Sequence, residues 1–214
     1  MKAEYIAHLG DDLMVVNSAR VSFLKESKFD IDGKVEARDE KLINYLATHG
    51  HWTPFSHPQI TLRETVPIFV ARQRFKHMVG FTYNEVSRRY VDDTPEFFFP
   101  EVWRSRPEGS LKQGSSGPVQ HMKAVQDRYR WAMDKAAEAY KELLALGVAP
   151  EQARMALPQS MLTSYYVTGS LAAFARAFKQ RIDVHAQVEI QELAKQWGEI
   201  IQPLFPVSWA ALTK

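Results

Sequence analysis

Apolar positions recur along this 214-residue chain with two different periods, and the alternation between them predicts its elements. Two short apolar runs, 5–9 and 12–16, flank Gly10-Asp11 and predict an opening hairpin. Residues 17–23 follow as a connecting turn and 25–38 as an exposed loop. Helical spacing through Leu42, Ile43, Tyr45 and Leu46 predicts a helix over 36–49, stopped by Gly50. Alternation over 59–66 predicts a strand with one wet face.

Pro67 is expected to open a helix, which puts Arg72 with Lys76, and Gln73 with His77, on shared faces as far as Gly80. Residues 81–85 then read as a turn and 86–90 as a short strand or extended segment. A long irregular stretch reaches Pro118 through a Gly/Ser-rich loop, the kind of loop that often serves as a lid or binding segment. Steps of three and four from Val119 to Leu144 mark a long amphipathic helix ended by Gly147, and Pro150 starts a short one. Residues 161–168 are β-branched and aromatic and predict a strand. Ser170 is placed to cap a helix through Lys179, and Asp183 to cap a last one with an apolar stripe ending at Ile201. The expected fold is α/β of the α+β type: a central, mostly antiparallel sheet flanked by helices, with a long C-terminal helical portion. It is expected to form one domain over 1–214.

Composition changes this picture little: 45% hydrophobic and 24% charged residues are ordinary for a soluble protein. No stretch approaches the roughly 20 apolar residues of a membrane span, and the N-terminus lacks signal-peptide character, so the expected location is cytoplasmic without a membrane partner. A net charge of +2 argues against a nucleic-acid coat. An RNA-binding domain using the basic stretch and its aromatics is a third reading, which the small charge excess counts against. Cysteine is absent, which excludes disulfides, thiolate metal sites and a cysteine nucleophile. His51 and His57 lack a third ligand pattern, so no metal is expected.

The chemistry concentrates between Arg72 and Tyr90, where seven of nineteen residues are Arg, Lys, His or Glu directly after the apolar run Pro67-Ile68-Phe69-Val70-Ala71. Charge delivered by a core-like element needs neutralising, because an unpaired buried charge is costly. An anionic, phosphorylated ligand is the economical explanation. Arg181 and His185 at the predicted entrance of the last helix repeat the signal.

These pieces resemble the flavin-dependent thymidylate synthase family. Its signature of Arg-His-Arg, a seven- or eight-residue spacer and Ser is matched by Lys76-His77-Met78, eight residues, and Ser87; Ala71-Arg72-Gln73-Arg74-Phe75 precedes it, Asn84-Glu85 lies within it and Arg89-Tyr90 follows. Further matches lie in order at Ala19-Arg20-Val21-Ser22-Phe23, Gly50-His51-Trp52-Thr53-Pro54-Phe55, Lys112-Gln113-Gly114-Ser115, Arg154 with Leu157-Pro158, and Arg181 with His185-Ala186-Gln187. Lys76 and Met78 stand where the family carries Arg, Ser170-Leu171-Ala172 where it carries Asn-x-Arg, and Arg176 where it often carries Asn.

The resemblance implies conversion of dUMP to dTMP with 5,10-methylenetetrahydrofolate as carbon donor, NADPH as reductant and FAD as hydride carrier, in a homotetramer with shared sites. It assigns dUMP to Gln73, Lys76, Glu85, Ser87, Arg88, Arg89, Arg154 and Arg181, with Arg181 and Ser87 as the catalytic pair. FAD falls to Ser22, Thr53, Lys76, His77, Met78, Val79, Glu85, Ser170, Arg176 and His185, and stacking with folate and flavin to His51 and Tyr90. Ser87 reads as an orienting or phosphate-binding group rather than a nucleophile, because no base is evident for it. The departures at Lys76 and Met78 support a second reading: a non-catalytic nucleotide-binding relative that has lost the flavin.

Overall fold

A computed structural model describes residues 1–108 and 114–214. Within these, four strands form an antiparallel sheet ordered β1-β2-β4-β3: β1 Lys2–Leu9, β2 Gln59–Pro67, β3 Phe81–Glu85 and β4 Leu162–Ser170. Eight helices accompany them among the described residues: α1 Asp12–Arg20, α2 Ala37–Thr48, α3 Ile68–Arg74, α4 Met122–Ala145, α5 Pro150–Ala153, α6 Leu171–Arg181, α7 Val188–Ile201 and α8 Pro206–Thr213. The expected α/β class with an antiparallel sheet holds.

The chain divides into two compact units. The first takes Met1, 65–74 and 85–165, and holds α3, α4 and α5. Its buried residues include Val66, Val70, Met133, Tyr140, Ala153 and Met161, and α4 packs on α5 and the 3-10 turn Arg154–Ala156. The second takes 2–64, 75–84 and 166–214. There α8 packs on α1, α2 and α6, and α7 on α6 and β1, around Val15, Ile43, Phe174, Leu193, Trp197 and Phe205. Strands β2, β3 and β4 contribute residues to both units.

Several local expectations change. The second arm of the predicted hairpin is helix α1, because Asp11 caps it: its carboxylate accepts from the Met14 N–H at 2.9 Å. Residues 17–20 belong to that helix, and Val21–Phe23 continue it as a 3-10 turn rather than a plain connection. Pro67 closes β2 instead of opening a helix, and α3 stops at Arg74, so Lys76 and His77 lie in the turn beyond it. Tertiary contacts override the helical spacing there: the Phe75 ring packs against Tyr83 at 5.0 Å and His77 bonds to α6. The strand and turn are exchanged in the next segment. Phe81–Glu85 is β3, whose alternate rings Phe81 and Tyr83 are half-buried, while residues 88–90 turn.

Asp183 caps no helix; α7 starts five residues later, after Gln187, and the Asp183 carboxylate instead closes a turn on His185. Ser170 does cap α6, accepting from the Ala173 N–H at 3.2 Å. The family match at Lys112-Gln113 lies outside the described residues. No helix among the described residues is long and apolar enough to cross a membrane.

Candidate active site

The first unit carries a set of arginines with different ties. Arg88 and Arg89 sit in the turn after β3. Arg88 donates through Nη1 to the main-chain oxygen of Asp93 at 2.7 Å and also to its carboxylate, so this guanidinium is anchored to its own loop. Arg89 is about half exposed and reaches Glu151 Oε2 at 3.3 Å. Arg154 donates to the Glu151 main-chain oxygen at 3.1 Å. Glu151 thus bonds both arginines, Arg89 through its carboxylate and Arg154 through its carbonyl.

Other assigned residues of this unit have defined partners. The Ser87 hydroxyl accepts from the Arg89 N–H at 3.3 Å, and its carbonyl from the Tyr90 N–H at 3.0 Å, so it organises the turn. Glu85 at the end of β3 accepts from the Thr163 hydroxyl at 2.6 Å. Gln73 on α3 is half-buried, while Tyr90 is 79% exposed under the Arg89 guanidinium.

In the second unit the turn 75–80 is gripped from two elements. From α6, Arg181 Nε donates to His77 Nε2 at 2.8 Å, and Arg176 donates to the Val79 carbonyl. From β3, the Tyr83 hydroxyl donates to the His77 carbonyl at 2.7 Å. His77 is buried as a result, whereas Lys76, Met78 and Val79 are exposed. Gly80 has φ +80° in this turn, a conformation that favours glycine. The Ser170 hydroxyl is occupied in capping α6 and is buried.

His185 lies exposed in the turn between α6 and α7. Its N–H donates to Asp183 Oδ1 at 2.8 Å and its Nδ1 lies 2.9 Å from the same oxygen. The N–H bond first, then the ring contact, holds the Asp183 carboxyl below its ordinary range.

Ser22, His51 and Thr53 come together in a cleft of about 1100 Å3 within the second unit. Its walls include residues to which no role was assigned from sequence: Arg20, Phe23, Arg38, Lys41, Tyr45 and Trp52. None of the lining residues is acidic. Part of this wall was readable as spacing, since Arg38, Lys41 and Tyr45 step by three and four along α2. Tyr45 stacks on His49 with centroids 4.0 Å apart and meets His51 at 6.0 Å, a cluster of three rings. Among the described residues no three His, Cys, Asp or Glu side chains form a group able to hold a metal.

The architecture defines a mixed α/β protein, and comparison with known proteins narrows the class. A family model described as thymidylate synthase complementing protein matches residues 4–207. Curated relatives include the flavin-dependent thymidylate synthases of Thermosipho africanus, 37% identical over 96% of this chain and 88% of the relative, and of Thermotoga neapolitana, 35% identical over 99% and 90%. Among solved structures, the UMP/dUMP methylase PolB from Streptomyces cacaoi bound with 5-Br dUMP superposes with a TM-score of 0.87 at 28% identity, covering 99% of this chain and 94% of that one. The same methylase bound with 5-Br UMP superposes equally well, with a TM-score of 0.87. The chain belongs to the thymidylate synthase complementing protein family. The resemblance carried by the motifs, and the class of enzyme it implied, both hold.

Proposed function

We propose that this chain methylates dUMP reductively to dTMP, with 5,10-methylenetetrahydrofolate as carbon donor, NADPH as reductant and FAD as hydride carrier. The observation that carries the reading is the match of family and fold over almost the whole chain, in a protein with no cysteine to attack the pyrimidine. Residues 1–214 are taken to work as one functional domain, in the cytoplasm. A homotetramer with shared sites belongs to the same proposal, and the exposed Leu24 and Ile31 side chains are open to such an interface.

The cleft suits a flavin dinucleotide. Its size matches cofactor pockets, which run to roughly 1000 Å3, its exposed rings Phe23, Tyr45 and Trp52 suit flat heterocycles, and Arg20, Arg38 and Lys41 suit phosphates. Ser22 and Thr53 would hold the cofactor in this cleft, with Lys76, His77, Met78, Val79, Glu85, Ser170, Arg176 and His185 as further contacts. The side chains of His77 and Ser170 are committed to Arg181 and to the α6 cap, so the local structure favours indirect support from these two. When bound, the flavin supplies the hydride that the carbon transfer needs.

The remaining chemistry belongs to side chains. Arg89 and Arg154 bind the dUMP phosphate as a guanidinium pair, with Ser87 ordering the turn that presents Arg89. Arg88, tied to Asp93, supports that turn. Gln73, Lys76 and Glu85 orient the base and sugar. Arg181 stabilises negative charge that develops on the pyrimidine during substitution at its carbon, an electrostatic role that needs no proton transfer. His51 and Tyr90 offer exposed rings to the folate.

The test is anaerobic. NADPH should bleach the bound flavin, and dUMP with methylenetetrahydrofolate should restore its colour and yield dTMP. UMP belongs in the same assay, because the solved methylase is described with brominated UMP as well as dUMP. A colourless protein that binds dUMP would favour the non-catalytic relative instead.

A further inference from the structure

We infer that His77 is the positioning residue for Arg181, holding its guanidinium through a neutral imidazole whose Nε2 lone pair accepts the Arg181 Nε–H. Arginine is always protonated and has no acceptor, so at 2.8 Å the imidazole nitrogen facing it must carry the lone pair. The bond takes the Nε edge of the guanidinium and so fixes the plane of the group. His77 is only 7% exposed, which keeps water from competing for the bond.

The arrangement around His77 is built to fix it. Its carbonyl takes the Tyr83 hydroxyl at 2.7 Å from β3. Two residues on, Val79 takes Arg176 from the same helix that ends with Arg181. The last turns of α6 are thus stitched to the turn 75–80 at two points, and β3 fixes the first of them from the other side. A guanidinium at a helix C-terminus otherwise samples many rotamers. Here its Nε–H is held by a ring that is itself buried, in a residue tied to β3 through its own carbonyl. This changes the assignment of His77 from a flavin contact to a group acting through Arg181. It rests on the reading of Arg181 as the residue that faces the pyrimidine, but the bond itself can be tested without that reading.

The first measurement uses the intact wild-type protein with 15N-labelled Arg and His. A slowly exchanging Arg181 Nε–H with through-hydrogen-bond coupling to an unprotonated His77 Nε2 is expected; its absence overturns the proposal. The second is a cycle of His77→Ala, His77→Gln, Arg181→Ala and the His77→Ala/Arg181→Ala double variant, with flavin content and the affinity for 5-bromo-dUMP measured beside dTMP formation. Gln places an oxygen acceptor where Nε2 stands. Loss of position should lower dTMP formation about a hundredfold in His77→Ala, with marked recovery in His77→Gln and no further loss in the double variant relative to Arg181→Ala. Additive losses, or a Gln variant no better than Ala at equal flavin content, overturn it. If His77→Ala fails to fold, the Gln variant and the coupling decide. An Arg181→Ala protein with full activity sinks the assignment of Arg181 and this proposal with it, whereas an impaired Arg181→Ala beside an unaffected His77→Ala sinks this proposal alone.

Discussion

Asp39 is completely buried and takes both Nε and Nη2 of Arg20 on one oxygen, Oδ1, the Nε bond measuring 3.0 Å. The pair joins α2 to the end of α1 and aims Arg20 along the cleft wall. Arg20→Ala leaves a carboxylate with no exposure and no countercharge, and removing one partner of a buried pair costs about 3–5 kcal/mol. Asp39→Ala leaves an arginine whose side chain is still 21% exposed, so it should cost less. Urea midpoints for the two variants check the order. Equal midpoints would mean that the buried carboxylate is not the expensive partner.

Glycine 169 is a packing requirement of β4. A Cβ there would lie 2.3 Å from Phe81 Cδ1 and 3.1 Å from the Gly80 carbonyl. Gly169→Ala should therefore destabilise by about 1–3 kcal/mol through overpacking. It should also loosen bound flavin, because Gly80 closes the turn that presents Lys76, Met78 and Val79. Replacing Phe81 by Leu in the same chain should recover part of the loss, measured by thermal unfolding and by flavin retained after dialysis.

The sequence motifs treat Arg88 and Arg89 alike, but the structure separates them. Arg88 is committed to Asp93 by two bonds, while Arg89 shares Glu151 with Arg154 through contacts of 3.3 and 3.1 Å. Arg89→Ala and Arg154→Ala should each raise the dUMP KM by roughly ten- to a hundredfold, the size of a lost charge-assisted hydrogen bond at about 1.5–3 kcal/mol. Arg88→Ala should act mainly on stability. Steady-state kinetics at two salt concentrations would reveal the difference, since a phosphate contact weakens with salt.

Legibility from sequence followed how local each determinant is. The 24-residue helix α4, the strands β2 and β4 and the Ser170 cap were all readable, because periodicity and a cap act within a few residues. The turn 75–80 was not. Its course is set by Tyr83, Arg176 and Arg181, and Arg181 lies 104 residues from its partner. The sequence pattern favoured a helix continued to Gly80, whereas the turn beyond Arg74 is held by donors that include two about a hundred residues away. The cleft was half legible: the motifs contained Ser22, His51 and Thr53, but the cationic face of α2 had no motif to flag it. Helix α8 was missed despite Pro206 in its first turn, since Asp12, far away on α1, accepts the N–H groups of Val207 and Ser208 that start it.

Ser87 tests the cysteine-free chemistry directly. Its hydroxyl accepts from the Arg89 N–H, and a serine needs a base within hydrogen-bond reach to attack at neutral pH. Ser87→Ala should keep measurable turnover, with the larger change in dUMP KM because the turn carrying Arg89 loosens. Complete loss of turnover with intact dUMP binding would make Ser87 the nucleophile.

Acid should reach the His185 turn late. The N–H and then the ring of His185 hold the exposed Asp183 carboxyl below the ordinary aspartate value near 3.9. A carboxyl depressed in the folded state contributes stability above its unfolded value, and that contribution is lost as pH falls through its folded value. The turn should therefore stay closed through neutral and mildly acidic pH and open only below the ordinary aspartate range. Carbon-detected NMR of the Asp183 carboxyl should show a midpoint below that of a free aspartate, with the His185 amide shift following the same curve. The backbone bond is the larger cause, so His185→Ala should restore only part of the way to the free value. Complete restoration would mean that the imidazole, rather than the amide, holds the turn.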